Sequence, residues 1–273
     1  MRSPENIDEK RTIHANRHRA QTLCLIPALV VGAVLAVVVT AVGQPLVAIA
    51  VLVVVTAALA AWTWRTAPGR VARAVGARPS REEDRPRLHN LVDGLCATMG
   101  LPSPTILVVD SPQPNAMALG RAPGSAALIV TSGLDGSLSL VELEGVLAHE
   151  LVHIKRQDTV LSGVAISLAA PASLLIGAQG AADLVHRLVG PGREFSADQR
   201  AATVVRYPVG LGSALRIMAD PATVASPWPP GGGRTAAATR WLWIDPGTSG
   251  RGVAPADGEL DDPSVRAEAL SLL

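Results

Sequence analysis

The chain has 273 residues, room for one sizeable domain or for a smaller domain with membrane anchors. Hydrophobic residues make up 48% and charged residues only 17%, and a soluble globule carries about a quarter charged residues, so the deficit points to lipid-facing surface. The net charge of +1 gives no basis for binding nucleic acid, and two isolated cysteines, Cys24 and Cys96, exclude a disulfide framework and a cysteine metal site.

Residues 1–20 form a polar leader that ends in the basic "NRHRA". Two uncharged runs follow, Gln21–Val42 and Leu46–Trp64, separated by Gly43-Gln44-Pro45. Each matches the 20 or so apolar residues that a bilayer crossing takes, so residues 21–64 read as a two-helix transmembrane hairpin. A cleavable signal peptide fits poorly, because the apolar core is too long and the leader too extended. Arginines flank both ends of the hairpin, Arg11, Arg17 and Arg19 before it and Arg65, Arg70, Arg73 and Arg78 after it. Positive-inside bias therefore predicts both ends in the cytoplasm.

Residues 65–223 read as the main domain. "SREEDRPRLHNLVDGLCATMG" predicts an amphipathic helix that opens on a Ser80/Glu83 capping box and stops at Gly100 before Pro102. "TILVVD" reads as a short strand, and "PNAMALGRAPGSAALIVTSGL" as a small hairpin around a Gly/Pro turn. A second capping box, Ser139/Glu142, opens a helix carrying "ELEGVLAHELVHIKRQD". Residues 224–273 are rich in Pro and Gly and read as loops, with a short final helix from Pro263.

On a helix His149 and His153, four apart, share one face and can address a single ion, while Glu150 sits at the edge of that face within reach of a metal-held water. The alternative is a pair of buried histidines that are merely hydrogen-bonded. Three polar side chains set among aliphatics would then be costly to satisfy, which favours the metal. A catalytic zinc needs a third protein ligand and one open position. The acids downstream of the histidines are few, namely Asp158, Asp183, Glu194 and Asp198. In "REFSADQRAA" Glu194 and Asp198 again share a helical face, so Glu194 could ligate while Asp198 braces a histidine through its ring N–H.

Taken in order, "PNAMALGR…ALIVTSGL", "ELEGVLAHELVHIKRQD" and "REFSADQRAA" resemble the successive motifs of the HtpX-type membrane zinc metalloproteases, relatives of the CAAX prenyl proteases. The resemblance runs from about Arg65 to Asp220. It implies a mostly α fold with a small β-sheet, an α+β zincin-like domain. It also implies one zinc ion per chain held by His149, His153 and Glu194, Glu150 as general base, and Asp198 behind the ligands. Asn115, Ala116, Met117 and Ala118 match the family's edge strand beside the cleft, where an extended peptide would pair with the backbone. Two departures are visible: Phe195 stands where the family often has tyrosine, and Asp262 replaces a histidine of the terminal motif.

Residues 159–190 are apolar, yet one crossing would separate Glu194 from the histidines and two need about 40 residues. A helical hairpin broken near Pro171, dipping into the near leaflet or buried against the domain, reconciles both constraints. The implied function is a membrane-anchored zinc endopeptidase of the cell membrane, facing the cytoplasm and cutting misfolded or damaged membrane proteins. A membrane sensor or scaffold using the same fold is the alternative, as is a processing protease with one dedicated substrate.

Overall fold

The computed structural model describes residues 4–190, 192–220, 229–230, 233–246 and 261–272. Two long helices come first, α1 (Pro4–Ala41) and α2 (Pro45–Ala74), antiparallel about a turn at Gly43. Both are long and apolar enough to cross a membrane. They approach closely where Gly32 meets α2: a Cβ there would stand 2.6 Å from Thr56 Oγ1. Small residues at helix contacts are how packing in lipid gains contact area. Val30, Val37, Leu46, Ile49, Val53 and Val54 point outward with no protein over them, the surface that a hydrocarbon phase would cover.

No break separates this hairpin from the domain. α2 continues through residue 64, and its last turns bury Ala67 and Val71 in the domain. A four-stranded sheet of order β1-β2-β4-β3 follows, built from β1 (Arg78–Pro79), β2 (Thr105–Val109), β3 (Ala116–Leu119) and β4 (Ala127–Thr131). β2 and β4 are parallel; β3 and β4 form the expected antiparallel hairpin, with Met117 opposite Ile129. Alternation along the strands splits the core in two. Ile106, Ala116, Ala118, Leu128 and Val130 pack toward α3 (Pro86–Met99) and α5 (Leu140–Arg156). Val109, Met117, Leu119 and Ile129 pack toward the end of α2 and toward α6 (Asp158–Val189). The sheet is thus covered on both faces, mostly by helix.

The helix α3 does not open on the Ser80/Glu83 box. It begins at Pro86 with Arg85 at the N-cap and no side-chain cap. Proline is preorganised for the first helical position and disfavours helix in the residue before it, so Pro86 sets the start. Ser80 instead continues the β1 pairing, its N–H donating to Ile106 O, while its hydroxyl meets His89 Nε2 at 3.1 Å. The stop is as read: Gly100 is left-handed with φ 66°. A short helix, α4 (Ser132–Ser137), takes in Ser132–Leu134, the end of the stretch read as a hairpin.

The helix α6 runs through Pro171 without breaking; the non-helical residue is Gly177, at φ 75° and ψ 170°. That conformation is essentially restricted to glycine, whereas proline inside an apolar helix is tolerated when neighbours re-satisfy its turn. A straight helix of 32 residues would be about 48 Å long. Yet both ends of α6 meet α1 one turn apart: Asn16 donates to Asp158, and Arg19 Nη2 donates to Leu188 O at 2.8 Å. The chain therefore reverses at Gly177 and returns to its start. The tip, Leu174–Ile176, is solvent-facing, with Leu175 91% exposed.

Three helices complete the domain, α7 (Arg193–Val204), α8 (Pro208–Ala219) and α10 (Pro263–Leu270), the last being the final helix read from the sequence. One short helix, α9 (Gly233–Ala238), lies in the Pro/Gly-rich stretch; the rest of the loop reading falls largely on residues 221–228 and 247–260, outside the described residues.

Candidate metal centre

The Ser139/Glu142 box forms as read: Ser139 N donates to Glu142 Oε2 at 2.8 Å and Glu142 N to Ser139 Oγ at 3.4 Å. From there α5 runs buried from Gly145 to Ile154, carrying His149, Glu150 and His153 with at most 3% exposure. Gln157, left-handed at φ 56°, ends the helix and lets α6 start at once. After the α6 reversal the chain re-enters helix at Arg193, so Glu194 falls in the first turn of α7 and Asp198 one turn later.

These elements bring His149, His153 and Glu194 together in the interior. His149 Nε2 lies 3.1 Å from His153 Nε2 and 3.0 Å from Glu194 Oε2, and His153 Nε2 lies 3.5 Å from Glu194 Oε1. Each histidine has its own carboxylate behind it. Asp198 Oδ1 is 2.8 Å from His149 Nδ1, as read from the sequence, and Asp158 Oδ2 is 3.1 Å from His153 Nδ1. With both Nδ1 atoms facing carboxylates, the protons belong on Nδ1. Both Nε2 lone pairs and the Glu194 carboxylate then face one point, an arrangement that a cation at that point would stabilise. The spacings of 3.0, 3.1 and 3.5 Å also bracket the edge of about 3.3 Å that a tetrahedral zinc site with arms near 2.05 Å requires. The donor set, two imidazoles and one carboxylate, is that of a hydrolytic zinc site with a position left open. The residues fit the ion.

The electrostatics agree. Burial works against the imidazolium of His149, but hydrogen bonding to Asp198 and Glu194 outweighs it and raises the pKa to about 9. Burial also works against ionising Glu194; the Arg193 guanidinium and the two imidazoles overcome it and hold this carboxyl well below its ordinary range. Arg266 does the same for Asp198. Glu150 is the exception. Burial pushes its carboxyl up, its neighbours do not reverse that, and its Oε1 has no hydrogen-bond partner among the described residues.

Two arginines escaped the sequence reading, as did the pairing of Asp158 with His153. Arg266, fully buried on α10, grips Asp198 in bidentate fashion (Nε to Oδ2 2.7 Å, Nη2 to Oδ1 2.9 Å) and donates from Nη1 to Ile244 O at 2.8 Å. Arg193 donates to Glu194 Oε1 and to Ser162 Oγ, the latter at 2.7 Å. Of the two departures noted in the motifs, Asp262 caps α10 by accepting from Ser264 N at 2.8 Å, and Phe195 is half-buried on α7.

β3 is an edge strand of the sheet, as the resemblance implies, but it is not bare. Ala116 O accepts from Ile244 N at 3.0 Å, and the Asn115 side chain brackets Asp245, donating to its carbonyl at 2.7 Å and accepting from its N–H at 3.2 Å. Asn115, Ala116 and Met117 are fully buried and Ala118 nearly so, with Met117 turned into the α6 layer. Trp241 packs on His186, ring centroids 4.5 Å apart. The cavity reaching Glu194 beneath Trp241 and Trp243 has a volume of about 10 Å³, space for one water.

This fold and cluster define a metallopeptidase-type domain joined to an apolar helical hairpin. The profile of peptidase family M48 matches residues 82–242, and the chain belongs to that family. It is similar to proteins named Protease HtpX homolog: 37% identical over 169 residues to that of Salinibacter ruber, covering 54% of this chain and 61% of the relative. The match is 38% over 167 residues to that of Acidiphilium cryptum, with 51% and 58% covered, and 37% over 170 residues to that of Tropheryma whipplei, with the same coverages. The chain thus spans about three fifths of the length of the curated relatives it matches.

Proposed function

We propose that the chain is a membrane-anchored, zinc-dependent endopeptidase whose metal centre faces the cytoplasm and whose substrates are misfolded or damaged membrane proteins. The observation that carries this reading is the convergence of two Nε2 atoms and Glu194 beside Glu150, whose Oε1 has no hydrogen-bond partner among the described residues. A zinc ion held by His149, His153 and Glu194 would polarise the scissile carbonyl and bring the pKa of a water near 7. The remaining work falls to the chain. Glu150 takes the proton of the attacking water and delivers it to the amine nitrogen as the C–N bond breaks. Asp198 and Asp158 keep the imidazoles on the correct tautomer, and Arg193 and Arg266 hold the two α7 carboxylates in place. Support for the cytoplasmic side comes from the arginines at both ends of the hairpin. Support for membrane-borne substrates comes from the continuity of α2 with the domain, which keeps the centre beside the lipid.

The test is Glu150→Gln in the full chain. It should keep its zinc, measured by metal analysis of purified protein, and lose casein cleavage by 10²-fold or more, about what a general base contributes. Cleavage at the original rate in a zinc-loaded Glu150→Gln protein would remove the mechanism.

A further inference from the structure

The end of α2 and the first half of α6 enclose a groove of about 580 Å³, lined by Arg70, Arg73 and Ala74 on one side and Ser167, Ala170, Pro171 and Leu174 on the other. We propose that this groove binds the phosphate of an anionic membrane lipid. The inference rests on α1 and α2 spanning the membrane and does not depend on proteolysis.

The first ground is an unmet donor. Arg70 Nε and Nη2 are both shielded from solvent and lack an acceptor among the described residues. A buried guanidinium N–H left unpaired is expensive, and arginine's planar fork matches a phosphate with two parallel hydrogen bonds. Arg73 adds a second positive charge at the same groove, and no acidic side chain lines it among the described residues.

The second ground is depth. Arg70 follows Leu46, the start of the apolar run, by 24 residues of continuous helix, or roughly 36 Å. The hydrocarbon core is about 30 Å thick, so Arg70 falls in the headgroup layer. Helical side chains lean toward the N-terminus, and the Arg70 guanidinium accordingly sits over the Trp62 ring, 4.4 Å from its centroid. Trp62 and Trp64 mark the interface at which aromatic rings collect. The guanidinium therefore lies at the level of lipid phosphates.

The third ground is the opposite wall. Ser167, Ala170, Pro171 and Leu174 form one stripe of α6 that offers no charge, and Leu174 passes into the exposed apolar tip with Leu175 and Ile176. A cationic wall facing an apolar one suits a phospholipid better than a free anion, which gains nothing from the apolar side.

The experiment uses the full chain purified in mild detergent with equal amounts of phosphatidylglycerol and phosphatidylcholine, washed, with retained lipid measured by native mass spectrometry. Wild type should retain phosphatidylglycerol selectively. The double substitution Arg70→Gln/Arg73→Gln should lower that retention about 30-fold, from the contribution of two arginines near an anionic surface. If the double variant does not fold, Arg70→Lys, which keeps charge but lacks the fork, should still lose retention. Equal retention of both lipids by wild type, unchanged retention in the variants, or displacement by millimolar inorganic phosphate would each overturn the proposal. Carbonate extraction run in parallel separates the two layers of the argument. Wild type that stays in the membrane pellet leaves the spanning reading intact when lipid selectivity fails; wild type released by carbonate removes both.

Discussion

Arg266 shows how much of the centre lies behind its ligands. Its guanidinium is the partner that makes the burial of Asp198 affordable, and Asp198 in turn sets the tautomer of His149. Removing one member of a buried pair costs about 3–5 kcal/mol, and losing a partner behind a metal ligand costs about 10–100-fold in metal affinity. Arg266→Leu should therefore lower the thermal midpoint and weaken zinc binding by competition with a chelator. The double variant Arg266→Leu/Asp198→Leu should recover stability but not affinity; recovery of both would show that the pair is only structural. His149, Glu150 and His153 could be read from helical i, i+1 and i, i+4 spacings, and Glu194 with Asp198 as a second such pair; joining the two pairs, 45 residues apart, took the scarcity of downstream acids and the family resemblance. Asp158 could not be read, since its approach to His153 depends on the left-handed turn at Gln157. Arg266 is 68 residues from Asp198, although a lone arginine in the final helix "PSVRAEAL" was a usable signal.

Among the elements α6 is decisive, because its reversal sets where α7 returns with Glu194. The apolar composition of 159–190 and the need to bring Glu194 back to the histidines both pointed to a reversal. The position did not follow: the break was expected near Pro171, whereas the backbone turns at Gly177. Gly177 occupies a φ, ψ region that other residues enter only with strain of about 1–3 kcal/mol. Gly177→Val should thus destabilise the protein by that amount in denaturant titrations of the full chain in detergent and lower its zinc content, while Pro171→Ala should leave both unchanged. The reverse ranking would place the hinge at Pro171. The helix starts show the same competition between local signals. A capping box predicted α5 well, but for α3 the proline at position 86 overrode the box at Ser80.

For the whole molecule, the two long apolar helices were plain from hydropathy alone, whereas their union with the domain was not. The expected boundary at residue 64 falls within an unbroken helix, because apolar composition ends there while helical geometry and packing do not. The second union is at the other helix. Asn16 of α1 donates to Asp158, the same carboxylate that faces His153.

That shared carboxylate has a practical consequence for anyone hoping to work with a detergent-free fragment. A version beginning at Gly76 would strip Asp158 of its amide donor and expose the apolar sides of Val160, Leu161 and Val164, now packed beside Ala20 and Cys24. Such a fragment should bind zinc about 10-fold or more weakly than the intact chain, and Asn16→Ala in the intact chain should reproduce part of that loss while leaving membrane insertion alone. Isothermal titration of the three proteins with zinc would decide it, equal affinities meaning that the anchor is only a tether. On this architecture, a domain cut away from its helical hairpin would hold the ion less firmly.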